Sequence, residues 1–327
     1  MVGKLTDDSK PTASTMAQIL GESPYGSRNE QLDKCIRAKN GENVRTEQTN
    51  IMRSGDVLET PLLHEAVKRL NLDYCQLDIL EKVVHPRIDL EGSLDGLAYS
   101  KDGITIQEDT SKGIYVMTDS KSITIEGEAI LECKCTNNFG ETDPPGWRGV
   151  IQLQTLMEIK NAQYGILVVL YQSTDLRIFI YPVDPHWTSA ITRAAVEFSQ
   201  RVKSENYYPI ESLVDGSITN PSVKKESLDL DTDAIDAIDL FQSAQKSIKL
   251  WQSVKDDAQI ELMRIMGDYE IGKINVSNDD GSKDFVVKWG MINRKAQPEK
   301  IVPAKEASSK RSKTLSIKEY ENEIQDK

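Results

Sequence analysis

Residues Ala129-Ile130-Leu131-Glu132-Cys133-Lys134 place an acid and a lysine two positions apart at the end of an apolar run. The run reads as a strand, and side chains along a strand alternate in direction. Glu132 and Lys134 therefore share one face of a sheet, with Cys133 on the other. Upstream, Ser93-Leu94-Asp95-Gly96 offers a second carboxylate for a neighbouring strand. Two carboxylates and an ammonium on one face can hold a divalent cation beside a phosphate or a water, because hard cations such as Mg2+ take oxygen ligands and keep positions open for substrate. The tripeptide by itself equally describes a solvated strand end with an ion pair, so its surroundings decide.

Those surroundings alternate between helix and strand. Apolar residues Val57, Leu58, Leu62, Leu63, Ala66, Val67 and Leu70 recur at helical spacing, which predicts a helix from about Arg45 to Leu70. Pro61 lies within it, lacks an N–H and crowds the preceding turn, so a kink or restart is expected there. Trp147 to Ala162 reads as a second helix, carrying Gln152 and Gln154. Two apolar runs, 164–171 and 176–181, are separated by the polar 172–175 and predict a β-hairpin.

In this order the motifs resemble the YqaJ-type viral recombinase nucleases, relatives of phage lambda exonuclease within the PD-(D/E)xK superfamily. Thr12-Ala13-Ser14 and Leu20-Gly21-Glu22-Ser23-Pro24-Tyr25-Gly26-Ser27 are similar to the family's opening Ala-Ser helix and its Leu-Gly-x-Ser-Pro-Tyr turn. Gly55-x-x-Leu58-Glu59 is similar to its helix glutamate. Ser93-x-Asp95-Gly96 with Glu132-x-Lys134 matches its central pair of motifs, and Gln152-x-Gln154 its following helix. The resemblance spans about residues 10–200. It departs from the family in three places: a polar insertion, Leu97 to Ala129, expected to form extra hairpins; only Lys10 near the Ala-Ser motif, where a basic residue is usual; and Leu156 where helicase-linked nucleases carry a tyrosine.

The resemblance implies an α/β fold: a PD-(D/E)xK nuclease core, with a mixed central sheet flanked by helices, and a C-terminal helix-plus-hairpin extension. It implies an Mg2+-dependent exonuclease, with Mn2+ able to substitute, that runs 5′ to 3′ on double-stranded DNA ends and supplies single strands for phage-type recombination. Asp95, Glu132, the backbone carbonyl of Cys133 and Glu59 would hold metal. Lys134 would orient the attacking water or stabilise charge on the phosphate, and Gln152 would position the water or Lys134. Ser14 and Ser93 would donate to a 5′ phosphate; Ser14 is also a plain helix N-cap, and a helix N-terminus is itself an anion site. A single-strand annealing protein as partner and a ring-shaped trimer follow by family analogy. Two other readings stay open: a structure-specific or restriction-type endonuclease with the same core, and a non-catalytic DNA-binding or assembly protein.

Composition bounds the rest. The chain has 327 residues and a formal net charge of −12. Residues 1–208 carry 22 basic and 30 acidic side chains, so the protein is not a simple DNA-coating one, whose binding would rest on phosphate neutralisation. No apolar run spans a bilayer and the N-terminus has no apolar signal region, which predicts a cytoplasmic protein. Cys35, Cys75, Cys133 and Cys135 lack the spacing of a metal or iron–sulfur site and read as reduced thiols; His64, His85 and His186 share no spacing, and His85 reads as a strand end.

The domain expectation is a nuclease domain over 1–208, a Ser/Asp/Pro/Asn-rich linker over 209–224, a helix and hairpin over 225–295 and a disordered tail over 296–327. Apolar residues from Ile235 to Ile265 recur every three or four positions, predicting an amphipathic helix over about Thr232 to Met266. It is expected to pack on its own domain rather than to serve as a partner-binding coiled coil. Strands over 269–276 and 284–289, joined at Asn278–Gly281, complete the extension.

Overall fold

The computed structural model describes residues 5–45, 47–77, 79–222, 227–278 and 281–289. The expected tail over 296–327 lies outside them, as do parts of the expected linker and of the hairpin turn. The chain divides into two units, Met1–Pro221 and Ser222–Lys327.

In the first unit a 3₁₀ turn (Ala13–Thr15) leads into α1 (Met16–Ile19), α2 (Arg28–Lys39) and α3 (Asn50–Arg69). Strands β1 (Tyr74–Leu77), β2 (Lys82–Val84), β3 (Glu91–Ser93), β4 (Gly96–Gln107), β5 (Ile114–Val116) and β6 (Ser122–Thr136) follow. A short second 3₁₀ turn (Thr110–Lys112) lies between β4 and β5. Then come a third 3₁₀ turn (Gly146–Arg148), α4 (Val150–Lys160), β7 (Tyr164–Tyr171), β8 (Asp175–Pro182), α5 (Pro185–Ser204) and α6 (Leu213–Thr219). Six strands form one mixed sheet in the order β1-β4-β6-β7-β8-β5. β6 runs parallel to β7 and antiparallel to β4, and β7 and β8 form the expected antiparallel hairpin.

Alternation along β6 assigns the two faces. Ala129 and Leu131 join Ile166, Val168, Ile178 and Ile180 beneath Leu63, Ala66 and Val67 of α3. Ile130 joins Leu167, Val169 and Phe179 beneath Val150, Leu153, Leu156 and Met157 of α4. Outside α4, residues of α1, α2 and α5, among them Met16, Leu32 and Phe198, close a further apolar layer over Ile151 and Ile159. This is the mixed sheet flanked by helices that the resemblance implies.

Four local expectations are corrected. First, α3 starts at Asn50, capped by Thr49, whose Oγ1 accepts from Met52 N–H at 3.3 Å, and continues through Pro61 without a restart. Its buried residues all follow Pro61, while Val57 is 75 % exposed and Leu58 is 38 % exposed. Before Pro61 the apolar positions stay open, Val57 more than Leu58. Second, the 97–129 insertion lengthens β4 and β6 into one long antiparallel pair with an irregularity between Ser100 and Ile104. It also sends β5 to pair parallel with β8 at the sheet's far edge.

Third, Ser14 is not the N-cap: Thr12 holds that position, its N–H donating to Thr15 Oγ1 at 3.1 Å. Fourth, the expected linker contains α6, which begins with a capping box between Ser212 and Asp215. Asp215 is buried, accepts from Glu211 and Ser212 N–H at 3.0 Å each, and receives a hydrogen bond from Ser27, the N-cap of α2. A polar composition thus conceals a docked turn, because its carboxylate and hydroxyl groups are spent on backbone donors.

In the second unit α7 (Asp233–Met266) ends at Gly267, and β9 (Ile271–Asn278) pairs antiparallel with β10 (Gly281–Lys288). Among the described residues no helix is long and apolar enough to cross a membrane.

Candidate active site at the open edge of strand β6

The last β4–β6 pair is Gly96 with Leu131; beyond it β4 turns away, while β7 stays paired with β6 as far as Thr136. From Glu132 onward β6 thus loses its β4 neighbour. Asp95, the residue just before β4, fills the gap: Cys133 N–H donates to Asp95 Oδ2 at 2.9 Å. The side chain takes over the hydrogen bond that a longer β4 would have supplied. A strand residue exchanges both its N–H and its C=O with the same neighbour, so the Cys133 carbonyl faces this edge too.

Glu132 is fully buried on the α4 side of the sheet. Lys134 Nζ donates to Glu132 Oε1 at 2.5 Å. Glu132 Oε2 is buried and finds no hydrogen-bond donor among the described residues; its neighbour is another carboxylate, Asp95. Burial first, and the charge of Asp95 second, push the Glu132 carboxyl up to about 8 against the opposing pull of Lys134. Asp95 is raised as well, chiefly by burial, with Lys134 and the Cys133 N–H opposing. Burial alone would lower Lys134, but Glu132 and Asp95 outweigh it and hold the ammonium charged.

Two acidic side chains of α3 reach this field from the other side of the strand. Glu59 is half-buried and its charge raises both Glu132 and Cys133, while that of Asp56 raises Asp95. Among the described residues no three acidic, His or Cys side chains already close on one point. What the site offers a cation is the Asp95–Glu132 pair, with one oxygen lacking a donor, and the Cys133 carbonyl on the same edge. Adjacent buried carboxylates repel unless a proton or a cation neutralises them, so these residues fit a divalent ion.

The other expected site residues divide. Gln152 is half-buried in the first turn of α4. Gln154 serves the fold: its Nε2 donates to the Pro182 carbonyl at 3.0 Å and its Oε1 accepts from Asp184 N–H at 3.0 Å, fastening the end of β8. Ser14 and Ser93 are both exposed, on adjoining elements, since Thr12 bridges to Glu91 of β3. His85 is buried, and its Nδ1 accepts from Arg87 and Ile88 N–H at 3.1 and 3.2 Å, a turn-building role.

Two residues that sequence reasoning passed over adjoin Lys134. Gly149 caps α4 with φ +110°, and a β-carbon there would stand 3.2 Å from Lys134 Cγ and 3.3 Å from its Cε. The aliphatic stem of Lys134 therefore lies directly against Gly149. The neighbouring Arg148 is buried; its guanidinium donates to Thr136 Oγ1 at 3.1 Å and to Glu141 Oε1 at 3.2 Å, and it lies over the ring of Trp147 at 4.4 Å. It ties the loop after β6 to the start of α4. The Trp147-Arg148-Gly149 run ahead of an apolar helix was the available signal, a glycine where the chain must turn sharply.

No family model and no curated protein matches the chain. Among solved structures it is similar to an alkaline exonuclease from Laribacter hongkongensis, at 17 % identity and a TM-score of 0.44, over 61 % of this chain and 90 % of that one. A complex of that exonuclease with dAMP gives 18 % identity and a TM-score of 0.43, over 60 % and 89 %. A phage-related exonuclease from Haemophilus somnus gives 13 % identity and a TM-score of 0.41, over 61 % and 96 %.

Proposed function

We propose that this chain is a metal-dependent DNA exonuclease of the lambda exonuclease-like type. The observation that carries the reading is the convergence of Asp95, Glu132 and Lys134 at the open edge of β6. A buried carboxylate pair with an oxygen lacking a donor, and a lysine held charged beside it, is a costly arrangement for stability alone. It suits a site that receives a cation and an anionic substrate together.

Asp95, Glu132 and the Cys133 carbonyl would hold Mg2+, with Glu59 on a second ion or its waters, and Mn2+ able to substitute. Bound there, the ion supplies Lewis-acid polarisation of the phosphodiester. Lys134 donates to the attacking water or to a phosphate oxygen as negative charge develops, and Gln152 orients the same water or Lys134. Ser14 and Ser93 donate to a 5′ phosphate, giving 5′-to-3′ polarity on duplex ends. The single strands so exposed would feed phage-type recombination through an annealing protein, with the nuclease working as an oligomer in the cytoplasm.

The test is digestion in Mg2+ of the same duplex in linear 5′-phosphorylated, linear 5′-hydroxyl and closed circular forms. The reading requires linear 5′-phosphorylated DNA to be degraded fastest, closed circles to survive, and Glu132→Ala and Asp95→Ala to be inert yet folded. Cleavage of closed circles at the linear rate would instead make the enzyme an endonuclease. Near-normal turnover in either variant would remove the site.

A further inference from the structure

The turn over residues 20–27 carries a motif that the proposed chemistry leaves unused, and it holds a tyrosine out of the core: Tyr25 is 80 % exposed. The turn around it is firmly built. Gly21 adopts φ +80°, Tyr25 N–H donates to Ser23 Oγ at 3.2 Å, and Gln18 Nε2 donates to the Ser27 carbonyl at 2.8 Å. A β-carbon on Gly26 would stand 2.5 Å from that Gln18 nitrogen, so the residue after Tyr25 is a glycine where the brace passes against the chain. Fastened on both flanks, the backbone presents the ring to solvent.

One neighbour places that ring. Tyr25 and Trp147 meet edge to face, with ring centroids 5.3 Å apart and planes at 88°. Trp147 is itself pinned by the Arg148 guanidinium, 4.4 Å over its ring, and Arg148 is buried and bonded to Thr136 and Glu141. Gly149 follows Trp147 by two residues, at most about 7 Å between their Cα atoms, and lies against the Lys134 stem. A continuous set of contacts thus runs from the lysine of the proposed site to an aromatic ring. At 80 % exposure the Trp147 contact leaves a face of that ring open.

A fixed aromatic ring with an open face, beside a site that cuts a phosphodiester, offers a surface on which a nucleobase stacks. Stacking needs no hydrogen-bond code, because every base has a π-face, so it serves an enzyme that must accept any sequence. It also discriminates by structure. A base inside a duplex is stacked on both sides and has no face to offer, whereas the last base at a strand end has one. The neighbours of Tyr25 in the turn, Ser23, Pro24, Gly26 and Ser27, are small, so the turn offers one ring and not the broad apolar patch that binds protein.

We propose that Tyr25, braced by Trp147, is the platform on which the base of the terminal nucleotide of the attacked strand stacks, a substrate-positioning residue that favours ends. The proposal rests on the nuclease reading and adds a base contact where that reading has only metal and phosphate contacts.

The test titrates the full chain, with Ca2+ in place of Mg2+, into two 5′-phosphorylated duplexes, one with 2-aminopurine as its last base and one abasic at that position. Binding of the base-bearing duplex should weaken roughly 5- to 150-fold in Tyr25→Ala and stay within about twofold of wild type in Tyr25→Phe, which keeps the ring face. The abasic duplex should bind both Tyr25→Ala and wild type alike, at the weaker affinity. The thermal transition of Tyr25→Ala should match wild type, because the ring is exposed. Wild-type affinity in Tyr25→Ala would overturn the proposal. An equal loss on base-bearing and abasic ends would overturn it too, by making Tyr25 a support for Trp147. Either result from a chain that cleaves linear duplex in Mg2+ fails the platform alone; a wild-type chain that neither binds nor cleaves DNA fails the nuclease reading and the platform with it.

Discussion

Replacing Gly149 by alanine should cost activity out of proportion to stability. The new β-carbon stands 2.8 Å from Leu167 Cδ1 and within 3.3 Å of the Lys134 stem, at φ +110°. The backbone conformation costs a side-chain-bearing residue about 1–3 kcal/mol, and overpacking adds about 1–3 kcal/mol. Leu167 is fully buried, so the flexible lysine yields first. A displacement of Lys134 Nζ by about 1 Å is enough to cost on the order of 10² in rate. Gly165→Ala is the control, because its β-carbon meets Met157 Sδ at 2.6 Å and Leu153 Cγ at 2.7 Å in the same helix–sheet layer, with no contact to Lys134. Both variants should lose several degrees of thermal stability. Single-turnover digestion of linear duplex in Mg2+, normalised to the folded fraction, should fall about a hundredfold for Gly149→Ala and little for Gly165→Ala. Equal activity in the two folded variants would refute the placement of Lys134 by Gly149.

Three other outcomes follow from the site. With chelator present, stability should decline as pH rises from about 4.5 to about 8, because folded Glu132 keeps a proton that the unfolded chain releases near 4.5. Glu132→Gln should flatten that slope in thermal denaturation, and Mg2+ should raise the wild-type transition at pH 8 by binding only the folded state; an unchanged slope in the variant would show that Glu132 is not the titrating group. Lys134→Ala should lower the rate by on the order of 10² with metal affinity little changed; collapse of metal binding with normal chemistry at saturating metal would make the residue structural. Ser93→Ala should shrink the preference for 5′-phosphate over 5′-hydroxyl ends by roughly 1.5–3 kcal/mol, read from competing single-turnover rates, and an unchanged preference would remove Ser93 from the phosphate site.

What depends on neighbours along the chain could be read from the residues alone. Strand alternation put Glu132 and Lys134 on one face, the paired apolar runs announced the β7–β8 hairpin, and the three-and-four spacing announced α7. What depends on distant partners became visible only in the fold. Glu132 is buried because β7 pairs with β6 on one side while α4 lies over its face, and neither fact is contained in a tripeptide. Asp95 reaches Cys133 N–H only because β4 begins no earlier than Gly96, leaving one backbone donor for a side chain to satisfy. Val57 and Leu58 fit a helical stripe as well as Leu63 and Ala66 do, yet only the latter two are buried in the fold, so periodicity could not separate them. The polar 209–224 stretch reads as a linker until Ser27 and Asp215, remote in sequence, are seen to share a hydrogen bond. Gly149 is the sharpest case: its need for a left-handed turn is local, but its contact with Lys134 exists only because α4 crosses β6. Local preference is fixed by each residue's own sterics, whereas burial, charge coupling and close approach are fixed by which elements the fold brings together.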